Sequence, residues 1–259
     1  MYNMEKEQII PKKIHYCWFG GKELTKEAKE CIASWKETMP DYEVIQWDES
    51  NIDLDSCQYA KDAYEHKKWA FVSDYYRYDI LYKYGGIYLD TDVMMLKSLE
   101  PILVKGPYFG REQERDGGYV SSGLGMAAAP HHEFYKEMLD CYQSESFINP
   151  DGSENLKTVV IRMTDLLVKH GYSLARPYDE IQEVNGIKIY PGEYFCPSGY
   201  NGVTNITENS YTVHLFSASW FSEDDQKRMR YSRKINNAGF FGKCWWYLRL
   251  WLLEVKNKL

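Results

Sequence analysis

Several patterns that identify common protein classes are missing from this sequence. None of the six cysteines forms a Cys-x-x-Cys pair or groups with histidines at zinc-ligand spacing, so reduced thiols are expected. The N-terminal MYNMEKEQIIPKK has charges on both sides of a short apolar patch and lacks the long apolar stretch of a signal peptide. No P-loop, Gly-x-Ser-x-Gly elbow or recognisable Cys/His nucleophile pair occurs. These absences predict a cytoplasmic protein that relies on other chemistry.

Basic residues are scarce in most of the chain. Residues 1–220 carry 22 Lys and Arg against 34 Asp and Glu, whereas residues 221–259 carry 9 against 4. Because binding to nucleic acid needs a basic surface, the acidic body argues against nucleic acid as the main partner. The 259 residues, 44% hydrophobic and 27% charged, suit one large folded domain.

Hydrophobic patterning predicts strands that alternate with helices. Strands are expected at residues 14–20, 42–47, 87–89, 108–110, 119–129, 187–190 and 211–216, and helices at 25–39, 69–84, 131–143 and 156–170. This order indicates an α/β fold with a mainly parallel sheet. We expect one domain over residues 8–222, followed by a basic aromatic helical tail over residues 223–259.

Two acidic residues follow the short strand predicted at residues 87–89. Asp90 and Asp92 lie two positions apart, so an extended backbone would point both carboxylates to one side, and Leu89 and Thr91 to the other. Mg²⁺ and Mn²⁺ prefer oxygen ligands and complete their shells with water and substrate phosphates. Asp-x-Asp also occurs by chance in solvated turns, so the triplet alone leaves both interpretations open.

The surroundings of the triplet favour a metal site. SDYYRYDILYKYGGIYLDTDV, residues 73–93, resembles the signature of the DXD sugar-binding glycosyltransferases, family 32, which includes fungal initiating mannosyltransferases and many bacterial capsule and lipopolysaccharide enzymes. The catalytic domains of large clostridial glucosylating toxins are similar over this stretch. IPKKIHYCWFGG at residues 10–21 and VHLFSASW at residues 213–220 extend the resemblance in order along the chain.

The resemblance implies a GT-A-like fold, a nucleotide-sugar donor, a Mn²⁺ or Mg²⁺ cofactor and transfer with retention at the anomeric carbon. It makes Asp90 and Asp92 metal ligands with a catalytic role, and it gives Asp90 a contact with the donor. Asp74 and Arg77 would bind the donor sugar and diphosphate, with Arg77 assisting catalysis. Without the resemblance these two residues, three apart on one helix, could simply form a surface ion pair.

Four more residues receive roles from the resemblance. Trp18 is expected against the nucleotide base, with core packing as an equal alternative. His214 is expected to complete the metal shell, because a neutral imidazole can join carboxylates there, and a structural histidine is the alternative. Ser219 and Trp220 are expected to contact the donor from a segment that folds over it.

The resemblance further implies a glycan or lipid-linked oligosaccharide acceptor in surface polysaccharide synthesis, and we expect a UDP-hexose donor rather than GDP-mannose. A non-catalytic carbohydrate-binding protein and a glycosidase remain as alternatives. Gly123, Gly125 and Ala128 match G-x-G-x-x-A, which raises a nicotinamide-dependent oxidoreductase. That match lies mid-chain and soon meets Pro130, so we instead expect a strand whose glycines let a sugar approach the backbone.

The C-terminal segment combines positive charge with aromatic residues. Its basic cluster precedes GFFGKCWWYLRLWLLEVKNKL, which is too short and too interrupted by charge to span a bilayer. Such a segment suits a helix lying on anionic lipid, which would hold the protein peripherally at the inner face of the cell membrane. Packing on the core or on a second subunit is the alternative. The basic cluster consists of Lys227, Arg228, Arg230, Arg233 and Lys234.

Overall fold

The computed structural model describes residues 9–114, 117–199, 204–217, 227–228, 231–232 and 234–235. The chain opens with the expected β-α-β unit, formed by strand β1 (Lys13–Cys17), helix α1 (Lys26–Thr38) and strand β2 (Glu43–Trp47). Thr25 caps α1, since its hydroxyl accepts a hydrogen bond from Ala28 N–H. The apolar stripe of α1 is buried against the sheet.

Helix α2 (Gln58–Glu65) and the longer helix α3 (Trp69–Tyr84) follow, and α3 leads into strand β3 (Gly86–Tyr88). The turn between α3 and β3 requires glycine, because Gly85 and Gly86 have φ angles of 61° and 101°. A Cβ atom at Gly85 would also lie 2.6 Å from the Pro130 ring. The two glycines therefore end α3 and lead the chain directly into β3.

The remaining described elements follow from Val93 onward. They are strand β4 (Val93–Met95), helix α4 (Glu100–Leu103), strands β5 (Tyr108–Arg111) and β6 (Val120–Ala128), helices α5 (Glu133–Gln143) and α6 (Val159–Lys169), strands β7 (Gln182–Val184) and β8 (Ile187–Tyr190), helix α7 (Gly192–Phe195) and strand β9 (Thr212–His214). The sequence pattern did not predict α2, α4, α7, β4 or β7, most of which are too short to show a hydrophobic period.

Seven of the described strands form one sheet in the order β2-β1-β3-β6-β5-β8-β7, and β4 pairs separately with β9. Strands β2, β1, β3, β5 and β8 run in one direction, while β6 and β7 run against them. Two hydrophobic clusters cover the two faces of the sheet. The predicted α/β arrangement, a mixed and mainly parallel sheet flanked by helices, is confirmed.

The expected C-terminal helical tail falls largely outside the described residues, where only six positions of residues 227–235 are seen, all of them helical. The proposed division at residues 222 and 223 therefore stays a prediction. Among the helices that the structure does describe, none combines the length and apolarity needed to cross a bilayer. Five cysteines are free thiols, and the sixth, Cys244, lies outside the described residues.

Candidate active site

The Asp-x-Asp triplet lies in a turn at the end of β3. The strand ends at Tyr88, and Val93 N–H donates a 3.1 Å hydrogen bond to the Asp90 carbonyl, which closes the turn before β4. Leu89 points into the core as expected, but Thr91 lines the same cavity as Asp90 and Asp92. The expected placement of Thr91 on the opposite side is thus wrong, because the alternation of an extended strand does not continue through a turn.

The pairing of β4 with β9 brings His214 to the triplet. In this antiparallel pair Val93 lies opposite His214, so the last described strand places its histidine beside the residue that follows Asp92. One ligand atom from each of Asp90, Asp92 and His214 lies within 4.8 Å of the others. Their side chains remain 29%, 17% and 13% exposed, so an ion in the cavity can reach them. The structure thus brings together the three residues that the resemblance assigned to the metal.

Two neighbouring residues hold the carboxylate of Asp92. One carboxylate oxygen lies 3.3 Å from His214 Nε2 and the other accepts a 2.9 Å bond from Ser217 N–H. Burial raises the pKa of Asp92, but the charge and hydrogen bond of His214 and the Ser217 N–H outweigh burial and lower that pKa to about 2. Burial lowers the pKa of His214, yet Asp92 and then Asp90 raise it overall. Asp92 is therefore ionised at neutral pH and ready for a cation.

The imidazole of His214 is oriented by the backbone that follows it. Phe216 N–H donates to Nδ1 at 3.2 Å, which leaves Nε2 as the nitrogen that faces the carboxylates. Phe216 itself adopts a φ of 51°, an uncommon left-handed conformation for a bulky residue. Two carboxylates and one imidazole nitrogen form a donor set that fits Mn²⁺, and also Mg²⁺ if oxygen ligands from water and phosphate complete the shell.

Arg77 connects helix α3 to the triplet. Its Nη2 lies 3.0 Å from Asp74 and 3.3 Å from Asp90, and its Nη1 donates a 3.0 Å bond to the Ser122 hydroxyl on β6. Asp74 and Arg77 are 8% and 4% exposed, so the surface ion-pair alternative does not hold. Burial raises the pKa of Asp74 to about 6, although Arg77 opposes this.

Asp74 also joins two helices. Its carboxylate accepts a hydrogen bond from Val159 N–H, one of the N–H groups at the start of α6 that have no partner within the helix. The pair of Asp74 and Arg77 therefore holds the triplet, β6 and α6 around one space. A buried guanidinium fixed by two carboxylates is suited to neutralise a diphosphate that enters this space.

Trp18 packs in the core and lines the cavity, while its expected contact with a nucleotide base stays a prediction. Its indole Nε1–H donates a 2.7 Å bond to the Lys22 carbonyl, which fixes the ring against the loop that follows β1. The ring packs on one of the two hydrophobic clusters and also lines the cavity. Because the N–H is already bonded, Trp18 offers a ligand the face of its ring rather than a hydrogen bond.

These groups surround one cavity of about 830 Å³ at the carboxyl ends of β1 and β3, beside the first half of the antiparallel strand β6. Every predicted site residue in the described part of the chain lines it, namely Trp18, Asp74, Arg77, Asp90, Asp92 and His214. Ser219 and Trp220 lie outside the described residues, so their donor contacts stay predictions. The volume is sufficient for a ligand larger than a single sugar.

Two residues that support the site, Glu27 and Ser122, were not identified from the sequence. The Ser217 hydroxyl donates to Glu27 at the start of α1, which ties the segment after His214 to the body of the protein. Ser122 holds Arg77 from β6. Such roles arise only when distant segments meet, so no local sequence pattern could have identified them.

The glycines of β6 do not form a nicotinamide site. Gly123 and Gly125 lie within a nine-residue strand rather than at the turn into a helix, which removes the basis for the oxidoreductase alternative. Gly125 faces Leu89 and Tyr108, so its expected role in sugar approach is wrong, and its φ of 120° explains the glycine instead. Gly123 does line the cavity, where it faces Asp90.

Comparison with known proteins places this geometry in context. Residues 25–108 match the family described as glycosyltransferase sugar-binding region containing DXD motif. Inositol phosphoceramide mannosyltransferase 3 of Schizosaccharomyces pombe is 36% identical over 114 residues, covering 40% of this chain and 31% of that protein. The chain thus spans about a third of that relative's length.

Two further matches extend over more of the chain. Inositol phosphoceramide mannosyltransferase 2 of the same yeast is 29% identical over 261 residues, covering 96% of this chain and 69% of that protein. Among solved structures, PaToxG glycosyltransferase aligns with a TM-score of 0.48 and 21% identity, covering 62% of this chain and 69% of that chain. Residues 25–108, with Asp90 and Asp92 among them, thus match the glycosyltransferase sugar-binding regions with a DXD motif, and the resemblance found in the sequence is confirmed.

Proposed function

We propose that this protein is a metal-dependent glycosyltransferase that moves a hexose from a nucleotide-sugar donor to a glycan or lipid-linked acceptor. The observation that carries the proposal is the convergence of Asp90, Asp92 and His214 within 4.8 Å, in a region that matches a glycosyltransferase family. The buried Asp74–Arg77 pair and the Trp18 ring line the same cavity, which supports a ligand with a diphosphate and an aromatic base.

Each residue has a distinct task in this proposal. Asp90, Asp92 and His214 would hold the cation, which would supply Lewis-acid stabilisation of the charge on the departing diphosphate. Arg77 places a fixed positive charge beside the same leaving group, and Asp74 and Ser122 keep its guanidinium in place. Trp18 receives the base on its ring face.

We propose that the transfer proceeds with retention of configuration at the anomeric carbon. The acceptor hydroxyl approaches the anomeric carbon from the face that the leaving group occupies, and its oxygen forms the new glycosidic bond. The bond between the anomeric carbon and the phosphate oxygen breaks, and both electrons leave with the nucleoside diphosphate. A phosphate oxygen of the leaving group takes the proton of the acceptor hydroxyl, so the step needs no protein nucleophile.

For the donor and the acceptor we propose chemical classes rather than single compounds. We propose a UDP-hexose, and the names of the two yeast relatives add a nucleotide-activated mannose as the second candidate donor. Those names also add an inositol phosphoceramide, a lipid, to the candidate acceptors. A role in surface polysaccharide synthesis, and residence at the inner face of the cell membrane through residues 223–259, remain proposals from the sequence.

A donor screen tests the enzyme class directly. Release of nucleoside diphosphate would be measured from UDP-glucose, UDP-galactose, UDP-N-acetylglucosamine and GDP-mannose, with Mn²⁺, with Mg²⁺ and with a chelator. We expect turnover of one donor that needs the metal, is lost in Asp92→Asn and is kept in Asp140→Asn, which changes an exposed carboxylate. Nucleotide binding without turnover of any donor would instead favour a non-catalytic carbohydrate-binding protein.

A further inference from the structure

Strand β6 crosses the cavity at the point where Asp90 lies against it. A Cβ atom added at Gly123 would lie 2.3 Å from Asp90 Oδ2, 3.4 Å from Asp90 Cγ and 3.8 Å from Arg77 Nη1. Non-bonded carbon and oxygen atoms need more than about 3 Å, since closer approach is repulsive. The carboxylate of Asp90 therefore occupies the space that any side chain at position 123 would take.

The glycine is not explained by its own backbone. The φ of Gly123 lies outside the left-handed region, unlike the φ of 120° at Gly125 in the same strand. An alanine at position 123 would thus carry no conformational strain. The contact with Asp90 is what distinguishes this position.

The Asp90 carboxylate pairs with Arg77 and is also placed to bind the proposed ion. One oxygen lies 3.3 Å from Arg77 Nη2, and the group is also close enough to Asp92 and His214 to share one ion with them. Asp has a short side chain, so a small displacement cannot satisfy both partners at once. A carboxylate pushed off β6 has to leave Arg77 or change its approach to the ion.

We propose that Gly123 is a positioning residue, whose missing side chain sets where the Asp90 carboxylate lies in the cation site. The proposal rests on the proposed function for the identity of the ion. Gly123→Ala should displace the carboxylate by about 1 Å, and a displacement of that size costs on the order of 100-fold in transfer rate. The fold should survive, because the atom that has to move is the end of a side chain.

A cation titration without donor separates this role from a structural one. Mn²⁺ binding would be followed by electron paramagnetic resonance in the wild type and in Gly123→Ala, where we expect at least about tenfold weaker affinity. Gly110→Ala is the matched control. Gly110 lies on β5 and also has no positive φ. A Cβ atom there would lie 3.1 Å from the Phe195 ring, away from the proposed ion site. That control should lose stability while keeping Mn²⁺ affinity.

A double-mutant cycle with Asp90→Ala tests whether Gly123 acts through Asp90. Once the Asp90 carboxylate is removed, Gly123→Ala should cause no further loss of Mn²⁺ affinity, and the double variant should be at least as stable as Asp90→Ala. An equal loss in both backgrounds, or unchanged affinity in Gly123→Ala, overturns the positioning role. If Gly123→Ala and Asp92→Asn both keep the wild-type affinity for Mn²⁺, the proposed cation site is wrong. If Asp92→Asn loses affinity and Gly123→Ala does not, the site is supported and Gly123 does not position it.

Discussion

The two carboxylates of the triplet are expected to respond in opposite ways to the same substitution. In the metal-free protein Asp92 accepts a hydrogen bond from Ser217 N–H and pairs with His214. Its pKa falls from the ordinary 3.8 to about 2. Asp90 is different, because burial raises its pKa despite the nearby Arg77. The folded protein thus favours the ionised form of Asp92 and disfavours the ionised form of Asp90.

The pKa of Asp92 sets the size of the expected effect. Each unit of difference between folded and unfolded pKa corresponds to about 1.4 kcal/mol, so ionised Asp92 contributes about 2 kcal/mol to the free energy of unfolding at neutral pH. Asparagine keeps an oxygen for Ser217 N–H but loses the charge, so we expect Asp92→Asn to lose about 1 to 2 kcal/mol, or a few degrees in Tm. The contribution exists above the unfolded pKa and disappears as pH falls from about 4 to about 2.

Urea unfolding at pH 7.5 with a chelator would measure the difference, with Asp90→Asn as the matched control. We expect Asp90→Asn to leave the free energy of unfolding unchanged or to raise it, since it removes a buried charge while Asp74 still pairs with Arg77. Adding Mn²⁺ should stabilise the wild type and neither variant. Equal losses in both variants, or no loss in Asp92→Asn, would refute the ion pair of Asp92 with His214 as a stabilising contact.

Three further outcomes are expected. His15 is fully buried between the Gly85 carbonyl and Trp47 Nε1, and burial lowers its pKa to about 4; stability should therefore fall by about 3 kcal/mol as pH drops from 6.5 to 4, a step that disappears in His15→Gln but persists in His66→Gln. Because neighbouring carboxylates raise the pKa of His214, protons should compete with the cation, so Mn²⁺ affinity measured by titration should weaken from pH 8 to 6 and vary less in His214→Ala. Deleting residues 239–259 should abolish salt-sensitive flotation with anionic liposomes, and equal binding by full-length and truncated protein would contradict the membrane proposal.

Local sequence patterns predicted the parts of the fold that depend on neighbouring residues. The long helix α3 and its Gly85–Gly86 stop were visible because sixteen residues and a glycine pair give a strong local signal. Strands β4 and β7 are three residues long and gave none. Strand alternation also failed at Thr91, since the backbone turns there.

The candidate site was predicted unevenly for the same reason. Asp90 and Asp92 could be selected from their spacing, whereas His214 and Trp18 were selected only through the family resemblance. Glu27 and Ser122 were missed because their roles depend on contacts with residues far away in the chain. Gly123 was noticed as a glycine that a sugar could approach, but no pattern shows that the Asp90 side chain fills the space beside it.

The pairing that sets Val93 opposite His214 also determines when the proposed ion site can form during synthesis. Two of its three proposed ligands leave the ribosome first, and the third follows more than a hundred residues later on β9. Closing so long a loop is slow relative to forming α3 or the opening β-α-β unit. In a nascent chain the Asp-x-Asp turn and Arg77 would therefore be present well before all three proposed ligands could bind a cation.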